Sequence, residues 1–361
     1  MKYNIWVENI FDDNGNLTVG GVQTYTAKLY ELLLSKTNEA PLLVMPNCKK
    51  CNEFNFISMP LKDWKKGKLM ATDNDCVNIV MNIHKSPKKL NGKTFGIQHG
   101  VYWDANYRDF GLLGFIKRKL RVYKAIHDSE KFSKIITVDA NYPNVWAAIK
   151  SKPIDFNKFE IIPNFAEFDM QSSDLNLESN YTYGEIDTIV FSRRFVEHRG
   201  VIPFVESVEE FILKHNWKGV VKIYGDGPLQ QYILDRLSKF DNVSVGRLKY
   251  EERLSAFSSN SLVFVPTSAA EGTSLSCIEA WSKHSLVVST VVGGLSNMCI
   301  DGFNSVVVKP TRESILSALE DIFINKNIDV DRIRMFGFNT FYNSFNDIVW
   351  SNRIFKVLGL R

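Results

Sequence analysis

Hydrophobic residues along this chain fall in short bursts divided by longer stretches in which apolar and polar positions alternate at helical spacing. The bursts predict strands at 2–8, 41–46, 77–83, 94–98, 134–138 and 159–162, then at 187–192, 220–224, 242–245, 262–266, 286–290 and 305–308. Amphipathic stretches near 22–35, 110–127, 140–150, 201–215, 228–239, 250–258, 274–283 and 312–323 predict helices between most of them. A strand–helix rhythm of this kind marks an α/β protein with parallel, doubly wound sheets, and here it occurs twice. Between the halves, Asp169–Asn180 is polar and poor in large apolar side chains, and is read as a linker. The domains expected are 1–165 and 166–340, followed by a terminal segment, 341–361. In such domains ligand-binding loops follow the carboxyl ends of strands, and two domains facing each other would share one cleft.

The chain of 361 residues is too long for one simple core and suits two domains. Hydrophobic content of 45% and charged content of 23% describe an ordinary globular protein. A net charge of +4 argues against nucleic acid as a partner, while leaving room for a local basic face. Five cysteines (Cys48, Cys51, Cys76, Cys277 and Cys299) form no disulfide framework and point to free thiols in a reducing compartment. Glu8 interrupts the first apolar run, so the N-terminus reads as a strand and not a signal peptide. No apolar run approaches the ~20 residues needed to span a bilayer. A cytoplasmic location is expected, with contact to the inner face of a membrane left open.

Candidate chemistry clusters just after predicted strands. Glu271-Gly272-Thr273-Ser274-Leu275-Ser-Cys-Ile-Glu279 follows the run Leu262–Pro266. Gly272 permits a sharp turn, Ser274 or Ser276 can cap a helix, and the free amides of its first turn suit an anion. The two carboxylates stand eight positions apart, so on a continuous helix they would share a side about 12 Å apart. In Phe191-Ser-Arg193-Arg194-Phe-Val-Glu-His-Arg199-Gly200 the pair Arg194 and Arg199 is expected to converge on a diphosphate, with Arg193 as neighbouring surface charge. Gly20-Gly21 opens a helix and reads equally as a ligand approach or a tight turn, without a GxGxxG fingerprint. His99, at the end of the 94–98 strand, is placed to bond a sugar hydroxyl or to be satisfied by a neighbouring loop. Gly225-Asp-Gly227-Pro228 and Gly293-Gly294 also follow strands.

Other patterns are weaker. Asp73-Asn-Asp75 matches a DxD metal motif but precedes its strand, and Cys48-Lys-Lys-Cys51 is an isolated CxxC. No HExxH or GxSxG spacing appears. Residues 115–124 place five cations among apolar positions at helical spacing. They read either as a basic helix on anionic lipid or as the solvated face of a domain helix.

With these residues in view, the chain resembles a retaining glycosyltransferase of family 4, with the GT-B fold of two Rossmann-like domains. Glu271 through Glu279 resembles the family's Glu-x7-Glu motif, and Arg194-x4-Arg199-Gly200 its basic pair, in which lysine usually stands at the second position. Gly225-Asp-Gly-Pro228 matches the family's Gly-x-Gly-Pro. Val245-Gly-Arg247-Leu248 resembles the stretch facing the base, and Pro163-Asn164-Phe165 the Pro-Asn-Gly crossing between domains. His284 and Leu286 stand where Gly-x-Pro is usual, and Asn297 where glutamate is common.

The resemblance implies that Glu279 holds the nucleotide ribose, Glu271 the donor sugar and the basic pair the diphosphate. It places Gly20 and Gly21 near that diphosphate, His99 near the transferred sugar, and 341–361 as a helix returning to the first domain. It further implies transfer of a hexose or N-acetylhexosamine, with UDP as the carrier, to a hydroxyl of a saccharide acceptor. A lipid-linked acceptor in bacterial surface polysaccharide synthesis, such as that of lipopolysaccharide, is the class expected, with no metal and no cofactor beyond the donor. An epimerase or phosphorylase of the same fold, or a non-catalytic partner of a transferase, would share the architecture.

Overall fold

The computed structural model describes residues 2–18, 20–67, 76–100, 111–168, 182–269 and 271–360. The Asp73–Asp75 pattern and the linker at 169–180 lie outside them. The chain divides into two compact units, Met1–Pro163 with Arg353–Arg361, and Asn164–Asn352.

In the first unit the elements run β1 (Lys2–Trp6), α1 (Gly21–Thr37), β2 (Leu42–Pro46), β3 (Phe56–Met59), α2 (Leu61–Lys66), β4 (Cys76–Val80), β5 (Lys93–Gln98), α3 (Gly111–Asp128), β6 (Lys134–Thr137), α4 (Asn141–Lys150) and β7 (Phe159–Ile161). The sheet order is β3-β2-β1-β4-β5-β6-β7, with every pairing parallel. Order reverses between β1 and β4, the switch point at which a doubly wound sheet opens a crevice. Beside that seam Asn78 accepts from Trp6 Nε1 at 2.9 Å and from Asn4 Nδ2 at 3.3 Å, which satisfies polar groups buried within the sheet.

The second unit contains β8 (Thr188–Ser192), α5 (Val201–His215), β9 (Val220–Tyr224), α6 (Gln230–Leu237), β10 (Val243–Gly246), β11 (Ser261–Val265), α7 (Leu275–Ser282), β12 (Leu286–Ser289), β13 (Val306–Val307), α8 (Arg312–Phe323) and α9 (Val330–Ser344). Its parallel sheet has the order β10-β9-β8-β11-β12-β13, with the switch between β8 and β11. Strand alternation divides the core. Ile189, Phe191, Leu262 and Phe264 join the layer under α5, α6 and α8. Val190, Val263, Val265 and Val287 join the layer with Ile278, Trp281 and Phe341 of α7 and α9. A final helix, α10 (Asp347–Leu358), has its first turns in the second unit and its residues from Arg353 in the first.

All twelve predicted strands are present, within a few residues at their ends. Three elements went unread: the short edge strand β3, helix α2, and α9. Residues 250–258 form no α-helix; only a 3-10 turn, Arg253–Ala256, occurs there. Ser255 Oγ donates to the Glu252 carbonyl and Arg253 Nη1 to that of Tyr250, local bonds that compete with helix propagation.

Phe191 is wholly buried and stacks on Phe204 at 4.7 Å between ring centroids. Phe191→Ala should lower the unfolding free energy by about 3–5 kcal/mol in a denaturant titration. An unchanged midpoint would contradict this packing.

Candidate active site

Two loops flank the switch point of the second unit, one after β8 and one after β11, and they carry the charged cluster. The β8 loop runs through a 3-10 turn, Glu197–Arg199, into Gly200, whose φ of 75° is left-handed. A side chain at Gly200 would also meet the Pro266 carbonyl at 2.0 Å, so glycine lets the two loops touch. The β11 loop brings Glu271 back over the sheet edge, where its carboxylate is 7% exposed. Oε2 of Glu271 accepts from Arg193 Nη2, from Arg199 Nη1 and, at 3.0 Å, from Thr267 Oγ1.

Arg193, expected as neighbouring surface charge, is instead the arginine that joins Arg199 on Glu271. Arg194 is exposed and makes no ion pair with a described residue, whereas the Arg193 side chain is 5% and that of Arg199 22% exposed. Arg193 N continues the sheet ladder to the Tyr224 carbonyl at 2.9 Å, so the strand effectively ends one residue later than its apolar run.

Gly225 and Gly227 explain how the arginine loop is held. A Cβ on Gly225 would lie 1.9 Å from the Arg193 carbonyl, and one on Gly227 2.5 Å from that of Phe195. Phe195 N donates to Asp226 O at 2.6 Å and Leu229 N to Phe195 O at 3.0 Å. These glycines admit the β8 loop backbone. Gly293 and Gly294 do the same for the other loop: added Cβ atoms would meet Glu271 O and Gly272 C at 2.2 and 2.3 Å.

Helix α7 starts at Leu275, so Glu271 is outside it and the same-side helical argument for the two glutamates does not hold. Ser274 is the N-cap residue, yet its side chain makes no cap bond. Its Oγ accepts from Arg193 Nη1 at 3.3 Å, and Ser276 Oγ donates to the Ser192 carbonyl at 3.0 Å. By contrast α8 is capped by Thr311 and α9 by Asp329. The first turn of α7 thus has no side-chain cap, as in α1, α4, α5 and α6, and its amides carry the positive end of the helix dipole. Thr273 presents its carbonyl to Asn164 Nδ2 at 2.7 Å.

Charge in the cluster is set by burial and proximity. Burial alone would raise the Glu271 carboxyl, but the charges of Arg193 and Arg199 and the Thr267 hydroxyl outweigh it and hold the group below its usual value. Burial lowers the Arg199 guanidinium, against the pull of Glu271. Burial and the Arg199 charge take His198 down to about 4, leaving it neutral near pH 7.

Glu279 behaves differently. Burial raises its carboxyl to about 7, only partly offset by Arg253, whose Nε stands 3.7 Å away and whose Nη2 contacts Glu167 at 3.3 Å. Arg247 is mostly exposed and pairs with Asp226 at 3.2 Å; Leu248 is half-buried. Thr267, Arg253 and Glu167 carried no sequence signal; Arg253 sits in the stretch misread as a helix. His284, where glycine is usual, has a φ of 58° and is held by stacking on Phe338 at 3.9 Å.

His99, Gly20 and Gly21 belong to the first unit. His99 is edge-on to Tyr25 at 4.9 Å, its Nε2 is buried without a hydrogen-bond partner among the described residues, and burial takes it down to about 4. Gly20 precedes α1 in extended backbone, φ 162°, with no side-chain cap on that helix. Among the described residues no group of three His, Cys, Asp or Glu side chains is arranged to hold a metal ion. A cavity of about 730 Å3 between β13, α8 and the start of α9 shares no residue with the loop cluster.

Two doubly wound parallel domains with strand-end loops of this kind define the GT-B fold of glycosyltransferases. Residues 186–325 match the family described as glycosyl transferases group 1. An uncharacterized glycosyltransferase of Methanocaldococcus jannaschii is 27% identical over 163 residues, 43% of this chain and 44% of that protein. The match thus spans less than half of that relative. Among solved structures, a glycosyltransferase from Rickettsia africae superposes with a TM-score of 0.66 at 16% identity, over 99% of this chain and 97% of that one. Sucrose-phosphate synthase from Thermosynechococcus elongatus gives 0.71 at 14%, over 99% and 98%. Anabaena HepE in complex with UDP-glucose gives 0.68 at 12%, over 99% of each.

An unfolded glutamate releases its proton near 4.5, whereas folded Glu279 keeps it to about 7. Between those values the native state binds more protons, so this group makes stability fall as pH rises towards 7 and adds no slope above it. Glu279→Gln should remove that fall, gaining about 3 kcal/mol over wild type between the acid and neutral limits. Parallel pH–stability curves for the two proteins would show that Glu279 is not displaced.

Proposed function

We propose that this chain is a retaining glycosyltransferase of family 4 that moves a hexose or N-acetylhexosamine from UDP to a hydroxyl of a saccharide acceptor. The observation that carries the reading is the Glu271 cluster: two guanidiniums gathered on one carboxylate beside an uncapped helix N-terminus. Arg199, the more accessible guanidinium, and the α7 amides take the diphosphate, while buried Arg193 pins Glu271 and Ser274 in place. As the glycosidic bond breaks, negative charge grows on the diphosphate, and these donors stabilise it more in the transition state than before. Two guanidiniums and a helix dipole supply the charge that a divalent ion would otherwise bring, so the proposed reaction uses no metal.

All three bonds to Glu271 fall on Oε2. In the proposed complex Oε1 accepts from a donor-sugar hydroxyl and Glu279 from the ribose. His99, neutral at pH 7, is assigned to the transferred sugar as a hydrogen-bonding group. The acceptor class is a lipid-linked saccharide of the kind built into surface polysaccharides. HepE, solved in complex with UDP-glucose, supports the donor class by likeness of fold alone.

The test is a nucleotide thermal-shift panel with a radiolabelled-donor turnover assay and determination of the product anomer. Ligand at a hundred times its Kd adds about 2.7 kcal/mol, so UDP should raise the melting temperature where other nucleotides do not. Arg199→Ala should lower turnover by roughly two orders of magnitude with the fold retained. Arg193→Ala should instead destabilise by about 1–3 kcal/mol, since Glu271 and Ser274 each lose a buried donor while Arg199 still pairs the carboxylate. Arg194→Ala should leave both unchanged; if it were the variant that lost turnover, the assignment would fail. An inverted product would remove the retaining mechanism, and absence of any donor hydrolysis would favour an idle relative.

A further inference from the structure

Helix α3 presents two unlike faces. Towards the body of the first unit it buries Gly114, Ala125 and Ile126, with Val122 half-buried against the same aromatic layer as Trp146 and Phe159. Away from it, Leu112, Leu113, Ile116, Leu120 and Tyr123 recur at intervals of three and four and so share one side. Their exposures are 75, 74, 44, 63 and 58%, an apolar stripe left in solvent. Lysines border it: Lys119 stands three residues after Ile116 on one edge, and Lys117 and Lys124 four after Leu113 and Leu120 on the other. With Arg118 and Arg121 the helix carries five cations, and no carboxylate precedes Asp128 in it.

This pattern selects among occupants. Protein–protein interfaces are depleted in lysine relative to the rest of the surface, whereas three lysines border this stripe. A two-fold contact with a second copy would set two such cationic helices against each other, with only Asp128, already paired to Lys124 at 2.7 Å, as counter-charge on each. A bilayer with anionic headgroups answers both features, since acyl chains accept the stripe while lysine stems reach up to the phosphates. We propose that α3 is an interfacial helix that seats the Leu112–Tyr123 stripe in an anionic membrane surface, with Lys117, Lys119 and Lys124 at headgroup level. This deepens the acceptor half of the proposed function, because a chain docked in this way meets a lipid-linked saccharide at the plane where it resides. Docking itself needs no donor.

The experiment is co-sedimentation of the full chain with phosphatidylcholine vesicles made with and without phosphatidylglycerol. Binding is expected only with phosphatidylglycerol and should weaken as salt rises. Each cation near an anionic surface is worth roughly fivefold, so Lys117→Glu with Lys119→Glu and Lys124→Glu should lower partitioning by at least ~100-fold. Leu112→Ser with Leu120→Ser should abolish it at unchanged salt. Because all five positions are exposed, melting temperatures and the response to UDP should match wild type. Failure of the wild type to bind, equal binding to both vesicles, or variants that bind like wild type would overturn the proposal. So would self-association lost in the leucine variants without any lipid binding. Vesicle binding with no response to UDP would sink the transfer reading and leave this one standing; a UDP response without vesicle binding would do the reverse.

Discussion

A buried carboxylate that collects two guanidiniums is the constraint on which the second unit turns. Glu271 neutralises one positive charge, and Arg193 and Arg199 supply two, so the cluster retains a surplus of one cation. His198 adds none near neutral pH. Taking that surplus out of water is costly, and the same burial lowers the Arg199 guanidinium. An anion in contact with it recovers part of that cost. The uncapped first turn of α7 faces the same requirement from the other direction, with amides in need of an acceptor. The diphosphate of the proposed donor would meet both, which is why charge and backbone lead to the same proposed ligand class.

Such a cluster needs loops closer together than side chains normally permit. Gly225 and Gly227 admit the arginine loop, Gly293 and Gly294 the Glu271 loop, and Gly200 lets the first reach the second. The sequence offered Gly225 and Gly227 as ligand contacts, since a glycine-rich turn after a strand has that meaning in many nucleotide sites. The structure adds a packing role for them, because the Arg193 and Phe195 carbonyls approach them. A larger residue at Gly225 would displace the arginine loop.

The parallel sheets were legible because most of their strands are buried on both faces and read as unbroken apolar runs. β3 was not, since Phe56–Met59 is an edge strand with no buried residue, its two central residues exposed. α9 was hidden by Gly337, a poor helix former whose place is dictated by tertiary packing: a Cβ there would meet the Trp281 ring at 2.6 Å. Arg193 was read as surface charge, yet it is buried and joins Arg199 on Glu271. Strand parity decides which of Arg193 and Arg194 meets that carboxylate, and parity depends on a single ladder bond to Tyr224 that composition cannot reveal. The left-handed backbone at His284 was equally invisible, because stacking on Phe338 and the Tyr183 hydroxyl at 3.2 Å replace the usual glycine.

The two glutamates, read from sequence as matched acceptors, are electrostatic opposites. Glu271 has two guanidiniums in contact and is held charged, so it acts first on the protein, by orienting cations. Glu279 has one arginine at 3.7 Å and a second carboxylate beyond it, too little to offset burial, and its proton is retained to about 7. A group poised there can donate or accept a hydrogen bond according to what sits against it, whereas Glu271 can only accept. Equal spacing in the motif thus conceals a division of labour that arises from which cations each loop brings within reach.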